Sequence, residues 1–206
     1  MAQVSGAKIA TIAVRMAMHT ELTCVVLCGG ESLRMGRDKG LIATKGVTAA
    51  ARASALLADF TDRVVLSLRA EQAEQYTAAV PALAQVHDIF HGLGPLGGLL
   101  SVHQKFPVAD IFLLACDMPA VTAADIRHLL SLKGALGVYG SGGVFEPLCA
   151  FYSAAVCAEM LRRTEAALRK GERPSGLQRL LHDLQATAVH PPVPANLKSE
   201  NTPSPV

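Results

Sequence analysis

The densest chemistry in the chain lies between Cys28 and Gly40, which read CGGESLRMGRDKG. Gly29 and Gly30 have no Cβ, so their backbone amides can approach a phosphate or a base edge closely. Arg34, Arg37 and Lys39 add three cations within the same short stretch, enough to balance much of a triphosphate's charge. Walker A demands Gly-Lys-Ser/Thr after four intervening residues, and the dinucleotide fingerprint demands G-x-G-x-x-G; neither can be laid over this stretch. Read by content alone, it is a polyanion-binding loop or a turn with solvated charges.

Two further segments carry candidate chemistry. Asp88 precedes Gly92-Leu93-Gly94-Pro95-Leu96-Gly97-Gly98. There Pro95 is placed to open a helix whose first amides would attract an anion. An ordinary glycine-rich turn is the plainer alternative. Asp117 closes the apolar run IFLLAC. It either caps a turn or, beside a triphosphate loop, offers Mg²⁺ a hard oxygen, since that ion takes one or two carboxylates with phosphate oxygens and water.

Short apolar runs alternate with amphipathic stretches, and these elements must position the three segments. The runs predict strands at Thr23–Cys28, Arg63–Leu68, Ala84–His87, Ile111–Cys116, Leu136–Tyr139 and Pro147–Tyr152. Helices are predicted at Thr48–Ala58, Gln72–Ala79, Leu96–Gln104, Ala123–Leu132, Ala154–Arg169 and Gly176–Asp183. Continuous hydrophobic strands separated by helices imply an α/β domain with a mostly parallel sheet covered on both faces. Ligands bind such sheets beyond the carboxyl ends of the strands, where all three segments fall.

Composition bounds the rest. With 206 residues, half of them hydrophobic and 17% charged, the chain suits one domain with an Ala/Leu/Val-rich interior. A formal charge of +2 is too small for a nucleic-acid binder, so substrate anions must be met locally. The five cysteines show no C-x-x-C spacing and read as reduced core thiols of a cytoplasmic protein rather than zinc ligands. No apolar segment reaches the roughly 18 residues of a membrane span. Residues 1–20 are expected to be a disordered extension ahead of a domain over 21–206, with Met16 or Met18 as alternative starts. Pro191–Val206 is expected to be a meandering end.

The order of residues goes further than their content. A strand followed by GG-x-S-x-R-M-G-x-D-K resembles the signature of the nucleotidyltransferase superfamily that includes sugar-phosphate nucleotidylyltransferases. With Ser32, Arg34, Met35, Gly36, Asp38 and Lys39, it looks most like the molybdenum cofactor guanylyltransferases, although Cys28 stands where their usual LAGG opening has alanine. Asp88 and the following GPLGGL resemble that family's second nucleotide-binding segment. Cys116-Asp117-Met118-Pro119 resembles its metal-binding C-D-x-P. Phe145–Tyr152 resembles the P-L-x-A-x-Y strand that lines the pterin side of the cleft, and Gly171-Glu172-Arg173 a G-E-R segment. The end of the chain departs from the family's N-x-N-T-P plus acidic residue: here Ser199 replaces the first asparagine, Asn201-Thr202-Pro203 follow, and no acidic residue comes after them.

The resemblance implies a single-domain, Rossmann-like three-layer sandwich of the nucleotide-diphospho-sugar transferase type. It implies transfer of GMP from GTP to molybdenum-molybdopterin, giving the guanine dinucleotide cofactor and pyrophosphate. Arg34, Lys39 and Asp117 are the implied catalytic residues, with Mg²⁺ on Asp117. Nucleotide contacts are implied for Cys28, Gly29, Gly30, Lys39, Asp88, Gly94, Pro95, Leu96 and Asp117, and accessory contacts for Ser67 and Asn201. Implied partners are GTP, molybdopterin and, transiently, molybdopterin-synthesis proteins and apo-molybdoenzymes, with neither nucleic acid nor membrane. A cytidylyltransferase on the same pterin, another small-molecule nucleotidyltransferase, and a non-catalytic nucleotide or pterin carrier remain open alternatives.

Overall fold

The computed structural model describes residues 21–29, 38–132 and 134–199. The expected N-terminal extension, Gly30 and Arg34 of the first loop, and Asn201 lie outside the described residues.

The first strand, β1 (Leu22–Leu27), is buried along its whole length. Cys24 and Val26 pack into one core and Val25 and Leu27 into another. A strand covered on both faces has no polar side, which is why it reads as an unbroken apolar run. β4 (Val64–Leu68) and β6 (Asp110–Ala115) flank β1 in parallel, and β5 (Ala84–His87) pairs in parallel with β4. On the other side β8 (Val144–Tyr152) runs antiparallel to β6, followed by β7 (Leu136–Ser141) and the short β9 (Ala188–Val189). The resulting order is β5-β4-β1-β6-β8-β7-β9 in one seven-stranded sheet.

Helices cover both faces. α1 (Ala49–Leu57), α2 (Ala73–Ala79) and α4 (Ala123–Ser131) contribute Ala50, Ala53, Leu57, Tyr76, Ile126 and Leu129 to the first core. α3 (Pro95–Lys105), α5 (Ala154–Arg169) and α6 (Leu177–Asp183) contribute Leu96, Leu99, Leu100, Cys157, Met160 and Leu181 to the second. Thr122 caps α4 with its side chain and Asp125 reciprocates, the pattern expected of T-x-x-D before an apolar run.

Two hairpins and the short β9 differ from the sequence-based expectation. β7 and β8 extend beyond the predicted strands and meet in a tight hairpin, because Gly142 and Gly143 both adopt positive φ (60° and 81°). A second small hairpin joins β2 (Ala43–Thr44) to β3 (Val47–Thr48) through Lys45 and Gly46, at φ 53° and 80°. Lysine is uncommon in that left-handed position, so the turn carries no Asn-Gly mark in the sequence.

Candidate functional site at the β1/β6 switch point

From β1 the chain passes to β4 and β5 on one side of the sheet. It then crosses back to β6 on β1's other side. The strand order thus reverses between β1 and β6, and ligands of such sheets bind in the crevice beyond the strand ends at a reversal of this kind. Leu27 pairs with Ala115 at this point, and the Cys116 amide donates to the Leu27 carbonyl at 3.2 Å. Cys28–Gly29 and Cys116–Asp117 thus leave the sheet side by side.

Lys39 and Asp117 meet across the crevice. Lys39 Nζ lies 2.9 Å from Asp117 Oδ2, with both side chains half-buried. Lys39 begins a short 3₁₀ turn, Lys39–Leu41, capped by Asp38, whose Oδ1 accepts from the Gly40 amide at 3.0 Å. On the far side, a guanidinium nitrogen of Arg52, in α1, donates to the Cys116 carbonyl at 3.3 Å. It braces the strand end that carries Asp117. Arg52 has no motif around it and is indistinguishable in sequence from a solvated helix arginine.

Asp88 lies on the other side of Gly29. Its amide donates to the Leu68 carbonyl at 2.9 Å and its Oδ1 accepts from the Ser67 hydroxyl at 3.0 Å. Burial pushes the Asp88 carboxyl above its ordinary value, while Ser67 and the nearby His91, Arg69 and His87 pull the other way. A Cβ on Gly29 would stand 3.3 Å from Asp88 Oδ2, so the glycine lets the carboxylate lie against the start of the first loop. Ser67, expected as an accessory contact, is fully buried, and its hydroxyl holds Asp88. The Cys28 thiol lies in the core, where a hydrogen bond with Cys116 and burial push it up, and the Cys28 amide donates to the Ser67 carbonyl at 2.8 Å.

The glycines of GPLGGL have a packing role that the sequence does not display. A Cβ on Gly97 would stand 2.5 Å from the Phe90 carbonyl oxygen, and one on Gly98 would stand 2.6 Å from both Leu27 Cδ1 and Ser67 Oγ. They let α3 seat directly on the strand ends. Ser101 fastens the preceding segment, accepting from the Ile89 amide at 2.9 Å and donating to the Gly97 carbonyl at 2.7 Å. Gly94 (φ 56°) and Pro95 are exposed and open the helix, whereas the Leu96 side chain is buried. Leu96 can therefore offer a ligand only its backbone, in a first turn where amides have no intrahelical acceptor.

A second carboxylate approaches Asp117 from β8. The β6–β8 pairing ends at Leu114↔Cys149, and the same register carried three residues on leads to Asp117 and Glu146. Burial raises the Glu146 carboxyl; the Leu148 amide, 3.3 Å from Oε1, opposes this and the charge of Asp117 adds to it. Other expected positions lie elsewhere. Tyr152 is fully buried and donates to the Pro147 carbonyl at 2.8 Å. Gly171, at φ 70°, ends α5, with the Glu172 amide donating back to Ala167 at 2.9 Å; that segment is an exposed helix cap.

Anion-binding content, a strand-end carboxylate and a switch-point crevice coincide in one place. Residues 24–188 match the MobA-like NTP transferase domain. The chain belongs to that family. As a MobA-like NTP transferase it is a nucleotidyltransferase. It is 41% identical over 160 residues to a probable molybdenum cofactor guanylyltransferase of Opitutus terrae, covering 74% of each chain. Among solved structures it resembles a putative protein from Aquifex aeolicus (TM-score 0.67, 22% identity, 91% of this chain and 97% of that one). It also resembles molybdopterin-guanine dinucleotide biosynthesis protein A from Archaeoglobus fulgidus (TM-score 0.58, 22% identity, 85% and 94%). The two structures share the fold of this MobA-like chain. Among its described residues no helix is long and apolar enough to cross a membrane.

Proposed function

We propose that this MobA-like transferase moves GMP from GTP to the terminal phosphate of molybdenum-molybdopterin, releasing pyrophosphate and forming the guanine dinucleotide cofactor. The observation that carries the reading is the meeting of Lys39 and Asp117 at 2.9 Å across the β1/β6 crevice, with Asp88 beside Gly29. The similarity to the Opitutus protein supports the guanylyl assignment.

In this reading Lys39 leaves Asp117 for the triphosphate when nucleotide binds, joined by Arg34 from outside the described residues. The acceptor phosphate is already an anion and needs no general base. Catalysis then rests on in-line positioning and neutralisation of charge. Asp88 and the opening turn of α3 are assigned to the nucleoside side, and the β8 segment around Glu146 to the pterin side.

The family implies a divalent metal, and the donor set fits Mg²⁺. Asp117 presents a half-buried carboxylate at the strand end, with Glu146 on the register that leads toward it. Among the described residues no three His, Cys, Asp or Glu side chains gather into a metal cluster. One or two carboxylates completed by phosphate and water oxygens is the usual magnesium arrangement. When bound, Mg²⁺ would polarise the α-phosphate and offset the charge gathering on pyrophosphate. None of the five cysteines is in a disulfide and all are buried, which supports a reducing, cytoplasmic setting.

Pyrophosphate release should be measured with each nucleoside triphosphate, with and without molybdopterin. Release that requires both GTP and the pterin is expected, and Asp117→Ala should abolish it in a folded protein. Turnover with CTP alone would replace the guanylyl assignment by a cytidylyl one. Binding of GTP with no turnover in the presence of the pterin would make the chain a carrier.

A further inference from the structure

The Lys39 turn is fastened by side chains that never touch the crevice. Gln72 lies in the short 3₁₀ turn Ala70–Gln72 between β4 and α2, and it is buried. Its Nε2 donates to Asp38 Oδ2 and reaches the Cys28 carbonyl at 3.5 Å. Its Oε1 accepts from the Arg69 amide at 2.8 Å, which sets the orientation of the side-chain amide. Tyr76, one turn further along α2 and fully buried, donates to Asp38 Oδ1 at 2.6 Å. The same hydroxyl oxygen would lie 2.1 Å from a Cβ on Gly40, so it rests directly against that glycine.

Two consequences follow. Cys28 precedes the Gly29-Gly30 start of the first loop and Asp38 stands at its end, so one glutamine amide ties together both flanks of residues 29–37. Moreover, Lys39 sits between Asp38, held by Gln72 and Tyr76, and Gly40, held by the Asp38 carboxylate and the Tyr76 hydroxyl. The backbone on either side of the cation is pinned from the α2 layer, while its ammonium reaches 78 residues along the chain to Asp117. A lysine has a flexible four-carbon stem, and where its ammonium can go depends on where its Cα is held. A carboxylate accepting from three donors is a rigid anchor for that purpose.

We propose that Gln72 and Tyr76 are positioning residues for Lys39, holding its backbone so that the ammonium meets a nucleoside triphosphate in the crevice. The proposal rests on the nucleotidyl-transfer reading of Lys39. It concerns triphosphate binding, whichever base is bound.

The test is a double-mutant cycle on affinity for Mg²⁺·GTP and Mg²⁺·CTP, measured by calorimetry in the full chain. Tyr76→Phe keeps the ring and removes one donor to Asp38; Gln72→Glu sets a second carboxylate against Asp38. In the parent background each should weaken binding of the preferred triphosphate by about tenfold, whereas in a Lys39→Ala background the further loss should be under about twofold. Circular dichroism should show each variant folded, and Tyr76→Phe, the gentler change, keeps the test informative where Gln72→Glu destabilises the chain. Equal losses in both backgrounds, or none in the parent, would overturn the positioning role and leave the nucleotidyl-transfer reading standing. Failure of the parent chain to bind any triphosphate would overturn that reading and this proposal together.

Discussion

Gly98→Ala tests how closely α3 must sit on the strand ends. The added methyl carbon would stand 2.6 Å from Leu27 Cδ1 and from Ser67 Oγ, against an ordinary contact range of 3.4–4 Å. Each neighbour must therefore give by at least 0.8 Å, the difference between 3.4 and 2.6. Ser67 is fully buried and Leu27 nearly so, which leaves little room to move. Overpacking of this kind costs about 1–3 kcal/mol. Alanine in place of glycine inside a helix recovers about 1 kcal/mol. The net is about 0–2 kcal/mol, or a fall in Tm of about 0–8 °C at roughly 2–4 °C per kcal/mol for a chain of this length.

The larger effect should fall on ligand affinity. Moving Ser67 Oγ disturbs its 3.0 Å bond to Asp88, and a hydrogen bond to a charged group contributes about 1.5–3 kcal/mol. Carried wholly into the proposed nucleotide contact of Asp88, that would be at most about a 100-fold loss of affinity. Melting curves and nucleotide titrations on Gly98→Ala, Ser67→Ala and the double variant check this. Ser67→Ala removes one of the two clashing atoms, so Gly98→Ala should cost less stability in that background. A Gly98→Ala protein that melts higher than the parent and binds nucleotide equally well would refute the reasoning.

Two further outcomes are expected. Burial raises the Asp88 carboxyl in the folded state, so the folded chain holds that proton more tightly than the unfolded chain. Its stabilising contribution is present below the ordinary carboxyl value of 3.8 and is lost as pH rises through the folded value. Asp88→Asn should therefore raise Tm at pH 7, with the gain shrinking toward pH 4, while nucleotide affinity falls; a Tm difference independent of pH would contradict the assignment. Arg52→Ala removes the donor to the Cys116 carbonyl and should lower kcat by about 3- to 10-fold with little change in Tm, as steady-state kinetics would show.

Much of the fold was legible because strands buried on both faces have no polar positions. VVL and IFLLA announce β1 and β6 in that way. The parts that escaped are those where backbone conformation, not side-chain polarity, decides. The Lys45-Gly46 turn and the Gly142-Gly143 hairpin depend on positive φ, and the antiparallel course of β8 follows from the second of them. In the site, Lys39, Asp88 and Asp117 stood out by type and by their place after strands. The glycines of GPLGGL stood out too, but as ligand donors, whereas Gly97 and Gly98 are required by the close approach of α3. That Ser67 is buried beneath Asp88 is a tertiary property that its position in the sequence does not display.

Sequence alone therefore determined which groups are available: a glycine-led cationic loop, two strand-end carboxylates and the alternating order of strands and helices. Those are local properties, written in residue type and short spacing. That Lys39 meets Asp117, that Arg52 braces Cys116, and that Gln72 joins Cys28 to Asp38 was decided only by the tertiary structure. The partners stand 78, 64 and 34 to 44 residues apart, and no local pattern specifies such contacts. They follow from the strand order, which reverses direction at β1 and brings the ends of β1 and β6 together.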